Sequence, residues 1–137
     1  MTEKNTLLTN YTGFVDELTS LESKDLDAFI TRLRHLQSIG CDIVRLDTAG
    51  TGMCSESGEF MEIVKKLKFQ GKPWDEDLRF HLKRELGDLM FYLIEGCLAL
   101  GYTPMEIIQE NVTKLEARYP GGKFDVYYSE NRLDGDL

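Results

Sequence analysis

Two acidic pairs, Glu56-Ser57-Gly58-Glu59 and Glu85-Leu86-Gly87-Asp88, constrain this chain more than any other feature of its sequence. In each, two carboxylates stand at i and i+3, one above the other on the same face of an α-helix. The second pair lies inside a leucine-rich run, where ionised groups are seldom tolerated without a partner. Four acids that share an interior need a cation. The pattern therefore predicts two facing helices that build one divalent-metal site. The plain alternative is a set of solvated acids, because a lone ExxE spacing arises often by chance on exposed helices. Glu62 continues the first row and could bind metal or orient a water.

Helical periodicity surrounds both pairs. From about Tyr11 to Gln37, Phe14, Val15, Leu18, Leu21, Leu26, Phe29, Ile30, Leu33 and Leu36 recur at helical spacing, with a break expected at Ser23-Lys24-Asp25. Residues 1–11 are polar and expected to fray. A long helix from about Ile43 to Phe69 carries the first acid pair in its middle. Gly50, Gly52 and Gly58 weigh against it at about 1 kcal/mol each relative to Ala. They either mark a loop that ends near Ser55 or let another backbone or a ligand approach closely. Gln70-Gly71-Lys72-Pro73-Trp74 breaks the pattern. Asp75 then caps a helix running to Leu100, with Gly101 as its stop. Leu78, Leu82, Leu86, Leu89, Leu93 and Leu100 supply its core stripe, widened by Phe91, Ile94 and Leu98. Thr103-Pro104-Met105-Glu106 opens a last helix that stops before Pro120. The tail from Lys123, with Phe124, Tyr127 and Tyr128, is expected to lie extended across the bundle or a neighbouring subunit. The fold class is all-α and four-helix-bundle-like, in a single domain spanning 1–137.

Composition excludes several classes. A formal charge of −8 disfavours nucleic-acid binding, which wants a basic surface. No apolar run reaches the roughly 18 residues of a membrane span; the longest, Leu89 to Leu100, is interrupted by Glu95. The opening Met-Thr-Glu-Lys-Asn lacks the order of a secretory signal. Cys41, Cys54 and Cys97 are odd in number and have no CxxC spacing, so a reducing cytoplasm fits best. No membrane and no nucleic-acid partner is expected.

The donor set narrows the chemistry. Carboxylate oxygens suit a hard cation, Mg²⁺ or Mn²⁺, better than zinc. Di-iron bundles use Glu-x-x-His, but His35 follows Arg32 and His81 follows Leu78 at that spacing, so the motif is absent. There is no GxxxxGK[ST] phosphate loop either. A carboxylate-held cation commonly binds substrate phosphates. Lys114, Arg118 and Lys65 or Lys66 are available to neutralise the remaining oxygens.

These residues resemble a known family. Glu56-x-x-Glu59 followed by Arg84-Glu85-Leu86-Gly87-Asp88 is similar to the paired motif of the all-α, MazG-like nucleoside triphosphate pyrophosphohydrolases. The likeness extends to Phe69-Gln70-Gly71-Lys72-Pro73, to residues 111–120 and to Ser129-Glu130-Asn131-Arg132, the last as in small, phage-type members. It covers roughly residues 43–135. The resemblance implies Mg²⁺-dependent cleavage of nucleoside triphosphates to the monophosphate and pyrophosphate, with Glu56, Glu59, Glu85 and Asp88 as metal ligands. One of the first pair, or Glu62, would orient the attacking water. Tyr92 would stand near the nucleotide sugar, and Asn111, Lys114, Arg118 and Tyr119 on the phosphate side. For Tyr92 the alternative is a packed bundle tyrosine; for Lys114 and Arg118 it is compensation of the helix dipole. Base-selective members often carry Trp or His before the first motif. Here that stretch reads Arg32-Leu33-Arg34-His35-Leu36-Gln37, and the one tryptophan, Trp74, falls between helices. The family also implies a homodimer or homotetramer. A non-hydrolysing nucleotide-binding module is the competing function.

Overall fold

The structure, a computed structural model, describes residues 3–132. The end of the expected tail, 133–137, lies outside the described residues. Six helices and no strands are found among those described: α1 (Glu3–Leu18), α2 (Leu26–Ser38), α3 (Ile43–Phe69), α4 (Glu76–Leu100), α5 (Pro104–Arg118) and α6 (Val126–Glu130). The protein is all-α, as its periodicity predicts. It divides into two compact units, Met1–Ile43 and Val44–Leu137.

The first unit holds α1 and α2, joined through a single 3-10 turn at Leu21–Ser23. The expected break therefore falls where Ser23, Lys24 and Asp25 stand. Lys24 ties the turn back to α1, its Nζ donating to the Asp16 carbonyl oxygen at 2.5 Å. Asp25 caps α2 by accepting from the Ala28 N–H at 2.8 Å. Contrary to the expected fraying, α1 begins at Glu3. Polar residues with adequate helix propensity extend a helix freely once later residues have nucleated it.

The second unit holds α3 to α6. The three mid-helix glycines do not interrupt α3, which runs unbroken through Gly50, Gly52 and Gly58. It stops at Phe69, and Gly71, at φ 65°, turns the chain so that the Lys72 N–H reaches the Lys66 carbonyl. Asp75 caps α4 with a 2.9 Å bond from the Leu78 N–H. Gly101 ends that helix at φ 73°, in the left-handed region an L residue resists, and the Tyr102 N–H returns to the Cys97 carbonyl at 3.1 Å. At α5 the capping box forms in full. Glu106 N–H donates to the Thr103 hydroxyl, and the Thr103 N–H donates to the Glu106 carboxylate at 2.7 Å. The Thr103 N–H foremost, and then the Thr103 hydroxyl, which also donates to it, hold the Glu106 carboxyl below the usual carboxylate range. The tail is not wholly extended. Asp125 accepts from the Tyr127 N–H and opens the five-residue helix α6.

Contacts between α3 and α4 run in opposite senses along the two helices. Arg45 pairs with Glu95, Ala49 faces Gly96, Gly52 meets Tyr92, and Glu59 approaches Glu85. The helices are therefore antiparallel neighbours in one register. α5 packs on α4. Burial is concentrated in few places: Ala49 and Gly52 on α3, and Leu78 and Cys97 on α4. Most of the predicted core stripe is not covered. Leu86, Phe91, Leu98 and Leu100 are each more than half exposed, while Leu82, Leu89 and Ile94 are half-buried. A helix with one neighbour on each flank can bury only the strips facing them, so a stripe this wide keeps an open face.

Candidate functional site

The acid pairs meet across α3 and α4. One carboxylate oxygen each from Glu56, Glu59 and Glu85 lie within 4.8 Å of one another. Glu56 and Glu85 are half-buried and Glu59 is exposed, so the cluster sits at the mouth of the helix pair. Three negative groups this close repel each other and disfavour the charged form. Glu56 shows it: its carboxyl is raised above the ordinary carboxylate value, first by desolvation, then by the charges of Glu59, Asp88 and Glu85. Asp88 is exposed and stands outside the three-oxygen cluster, yet its charge reaches the same point.

This donor set fits a hard divalent cation. Bonds of about 2.1 Å place two oxygens on one magnesium about 3–4 Å apart, so small side-chain rotations close the remaining gap. The ligand set is all oxygen, with no sulfur or imidazole in the cluster.

Beside the acids lies an open recess of about 310 Å³, lined by Ser55, Gly58, Glu59, Glu62, Lys66 and Glu85 among others. Glu62 is paired with both Lys65 and Lys66, the latter at 3.4 Å. The hydrogen bond from Lys65 is the main reason its carboxyl is held below the usual range. Glu56 and Glu62, six residues apart on one helix, are thus pushed in opposite directions. Lys66 brings a positive charge to the edge of an otherwise acidic recess.

The expected phosphate-side residues stand elsewhere. Asn111 and Lys114 line a recess of about 490 Å³ between α4 and α5, with Leu93, Ile107 and Ile108. Arg118 is in the last turn of α5. Tyr119 follows it, its ring 5.9 Å from that of Phe124, over an apolar recess with Val112, Leu115 and Lys123. None of the four is among the residues lining the acid recess. Tyr92 is half-buried, stacked edge-on against Phe91 and seated on Gly52. Gly58 and Ser55 belong to the recess and were not singled out from the sequence as lining residues. The available signal is spacing: Ser55 stands one turn before Glu59, and Gly58 one turn before Glu62.

An all-α scaffold with a carboxylate cluster between antiparallel helices, beside a recess edged by lysine, has the donor set for a hard divalent cation. The family model for the MazG nucleotide pyrophosphohydrolase domain matches residues 46–122. The chain belongs to that family, whose members act on nucleotides and generally use a divalent metal. The match falls within the second unit and includes both acid pairs. No curated protein matches the chain, and no solved structure does.

Proposed function

We propose that this protein is a Mg²⁺-dependent nucleoside triphosphate pyrophosphohydrolase, with Mn²⁺ able to substitute, that clears surplus or unwanted ribo- or deoxyribonucleotides from the cytoplasmic pool. The observation carrying this reading is the convergence of Glu56, Glu59 and Glu85 within 4.8 Å. Those three, with Asp88, hold the cation. When bound, it polarises phosphoryl oxygens and lowers the pKa of a bound water. Water adds to the phosphorus, the bridge between the α and β phosphates breaks, and the nucleoside monophosphate and pyrophosphate depart.

Glu56, Glu59 or Glu62 orients the attacking water. Glu62 lines the recess but stands outside the three-oxygen cluster, which favours it as the acceptor. Tyr92 is assigned to the sugar side, and Asn111, Lys114, Arg118 and Tyr119 to the phosphates. The last four do not line the acid recess, and assembly would bring their counterparts from a neighbouring copy to it. The open apolar faces of α4 and α5, with Leu86, Met90, Phe91, Leu98 and Ile108 exposed, support a homodimer or homotetramer in which neighbouring copies complete each other's sites. The three free cysteines, Cys41, Cys54 and Cys97, suit a reducing compartment. No described helix is long and apolar enough to cross a membrane.

The test is a panel of common ribo- and deoxyribonucleoside triphosphates with Mg²⁺, scored for pyrophosphate and orthophosphate. Pyrophosphate from at least one substrate is the expected product. Saturable Mg²⁺-dependent nucleotide binding with no product after long incubation would instead establish a non-hydrolysing binding module.

A further inference from the structure

Next to the acid cluster, two residues that are not ligands are fitted to each other. A Cβ built on Gly52 falls on the Tyr92 ring, overlapping Cγ, Cδ1 and Cε1. Any side chain there would displace the ring or the helix carrying it. Gly50 and Gly58 on the same helix face open space, so only at Gly52 is the missing side chain occupied by a neighbour. Gly52 is fully packed and Tyr92 half-buried. Gly52 lies one turn before Glu56, and Tyr92 one turn after Asp88. The contact is thus the rung adjoining the acids in the antiparallel register.

The separation of two packed helices depends on the side chains between them, over about 8–10 Å. Across a single turn a helix is stiff, so the spacing at 52 and 92 carries to 56 and 88. A magnesium-type site tolerates little error, because its bonds cluster near 2.0–2.1 Å in nearly ideal octahedral geometry. A displacement the size of a methyl group exceeds that tolerance.

Resting on the metal reading above, we propose that Gly52 and Tyr92 are a positioning pair: the ring seated on the glycine sets the α3–α4 separation at which the Glu56/Glu59 row and the Glu85/Asp88 row hold one cation. Tyr92 acts here through the thickness of its ring, whatever its hydroxyl contacts when substrate is bound.

The test measures Mn²⁺ alone, by electron paramagnetic resonance of the free ion, against the full-length chain without nucleotide. Gly52→Ala weakens Mn²⁺ binding about tenfold or more, as loss of an outer supporting residue does, with helical circular dichroism retained. Tyr92→Phe, which keeps the ring, binds Mn²⁺ within about twofold of the native chain. Gly52→Ala combined with Tyr92→Leu recovers most of the lost affinity, because a thinner side chain makes room for the methyl. Native affinity in Gly52→Ala overturns the proposal, as does a Tyr92→Phe loss equal to that of Gly52→Ala. If Gly52→Ala does not fold, Tyr92→Leu alone decides: unchanged Mn²⁺ affinity overturns the pair. A native chain that binds no Mn²⁺ removes the metal reading itself, a failure distinct from normal binding that ignores the pair.

Discussion

The α3–α4 pair has two halves built on opposite terms. At one end Ala49 is 1% exposed, a Cβ on Gly96 would lie 3.7 Å from the Ala49 Cβ, and Tyr92 fills the space over Gly52. At the other end, one turn away, Glu56, Glu59 and Glu85 crowd like charges around a shared opening. The first half gains from close packing and the exclusion of water. The second loses by charge repulsion and partial desolvation, as the raised Glu56 carboxyl records. A helix pair can hold the second arrangement only if the first anchors it. Stability and function are therefore separable along a single pair of helices, with the Gly52–Tyr92 rung as the place where they meet, and substitutions on either side of it should sort accordingly.

The largest expected effect belongs to the acidic half. Glu59→Gln and Asp88→Asn each lower turnover at least about a hundredfold, the upper end of what supporting-residue changes alone produce at metal sites. Thermal unfolding stays where it was or moves upward, since Glu59 is the foremost of the like charges acting on Glu56. Normal turnover in either variant would mean the ligands are misassigned. The packed half should answer the other way. Ala49→Leu inserts bulk into a buried position facing Gly96 and costs about 1–3 kcal/mol, read as a fall of several degrees in Tm. An Ala49→Leu chain that instead lost turnover at unchanged Tm would erase the distinction between the halves.

Much of this was legible in sequence because helix ends are local chemistry. Asp75, Thr103-Pro104 with Glu106, and Gly101 name their own roles within four residues, and each does what its type dictates. The acid pairs were legible for the same reason, since i and i+3 share a face. What could not be read was the identity of the neighbour. Gly50, Gly52 and Gly58 look alike in the chain, and only α4 distinguishes them by placing Tyr92 over one. Glu95 interrupts an apolar run without a local reason; its reason is Arg45, fifty residues earlier in sequence. The leucine stripe of α4 predicted burial, but periodicity states which residues share a face and not what covers it. Leu86 and Leu98 remain more than half exposed in the single chain. The short helix α6 was missed because its cap, Asp125, stands among aromatic residues with too few positions to establish a period.

A pH series sharpens the comparison further. For Glu56 the folded-state pKa is raised above the unfolded value. Its ionised form therefore costs stability at neutral pH, and that cost is relieved as pH falls through the raised pKa, wholly so below the ordinary carboxylate value. Cation binding needs the ionised carboxylate and must follow the reverse course. Mn²⁺ affinity is expected to weaken as pH is lowered from neutral toward the carboxylate range. Glu56→Gln should bind more weakly throughout and show a flatter pH profile. Glu62, held below the usual range by Lys65 and Lys66, does not contribute to this slope. A native profile that is flat across the interval would show that Glu56 is not among the ligands.

The smallest expected effect lies in the packed half and concerns the Arg45–Glu95 ion pair. Arg45 Nε stands 3.4 Å from Glu95 Oε2, with the two side chains 41% and 25% exposed. Pairs this accessible contribute about 0.2–1 kcal/mol and are weakened by salt. Glu95→Gln keeps the size of the side chain and removes the charge, so it should lower Tm by a few degrees at most. The difference from the native chain should shrink as salt is raised toward 1 M, where screening reaches about 3 Å. Mn²⁺ affinity should not change, because Glu95 lies beyond the Tyr92 rung, away from the acids. A larger, salt-independent loss would place the Arg45–Glu95 pair in a dry setting, and the anchoring half would then rest on charge as well as on close packing.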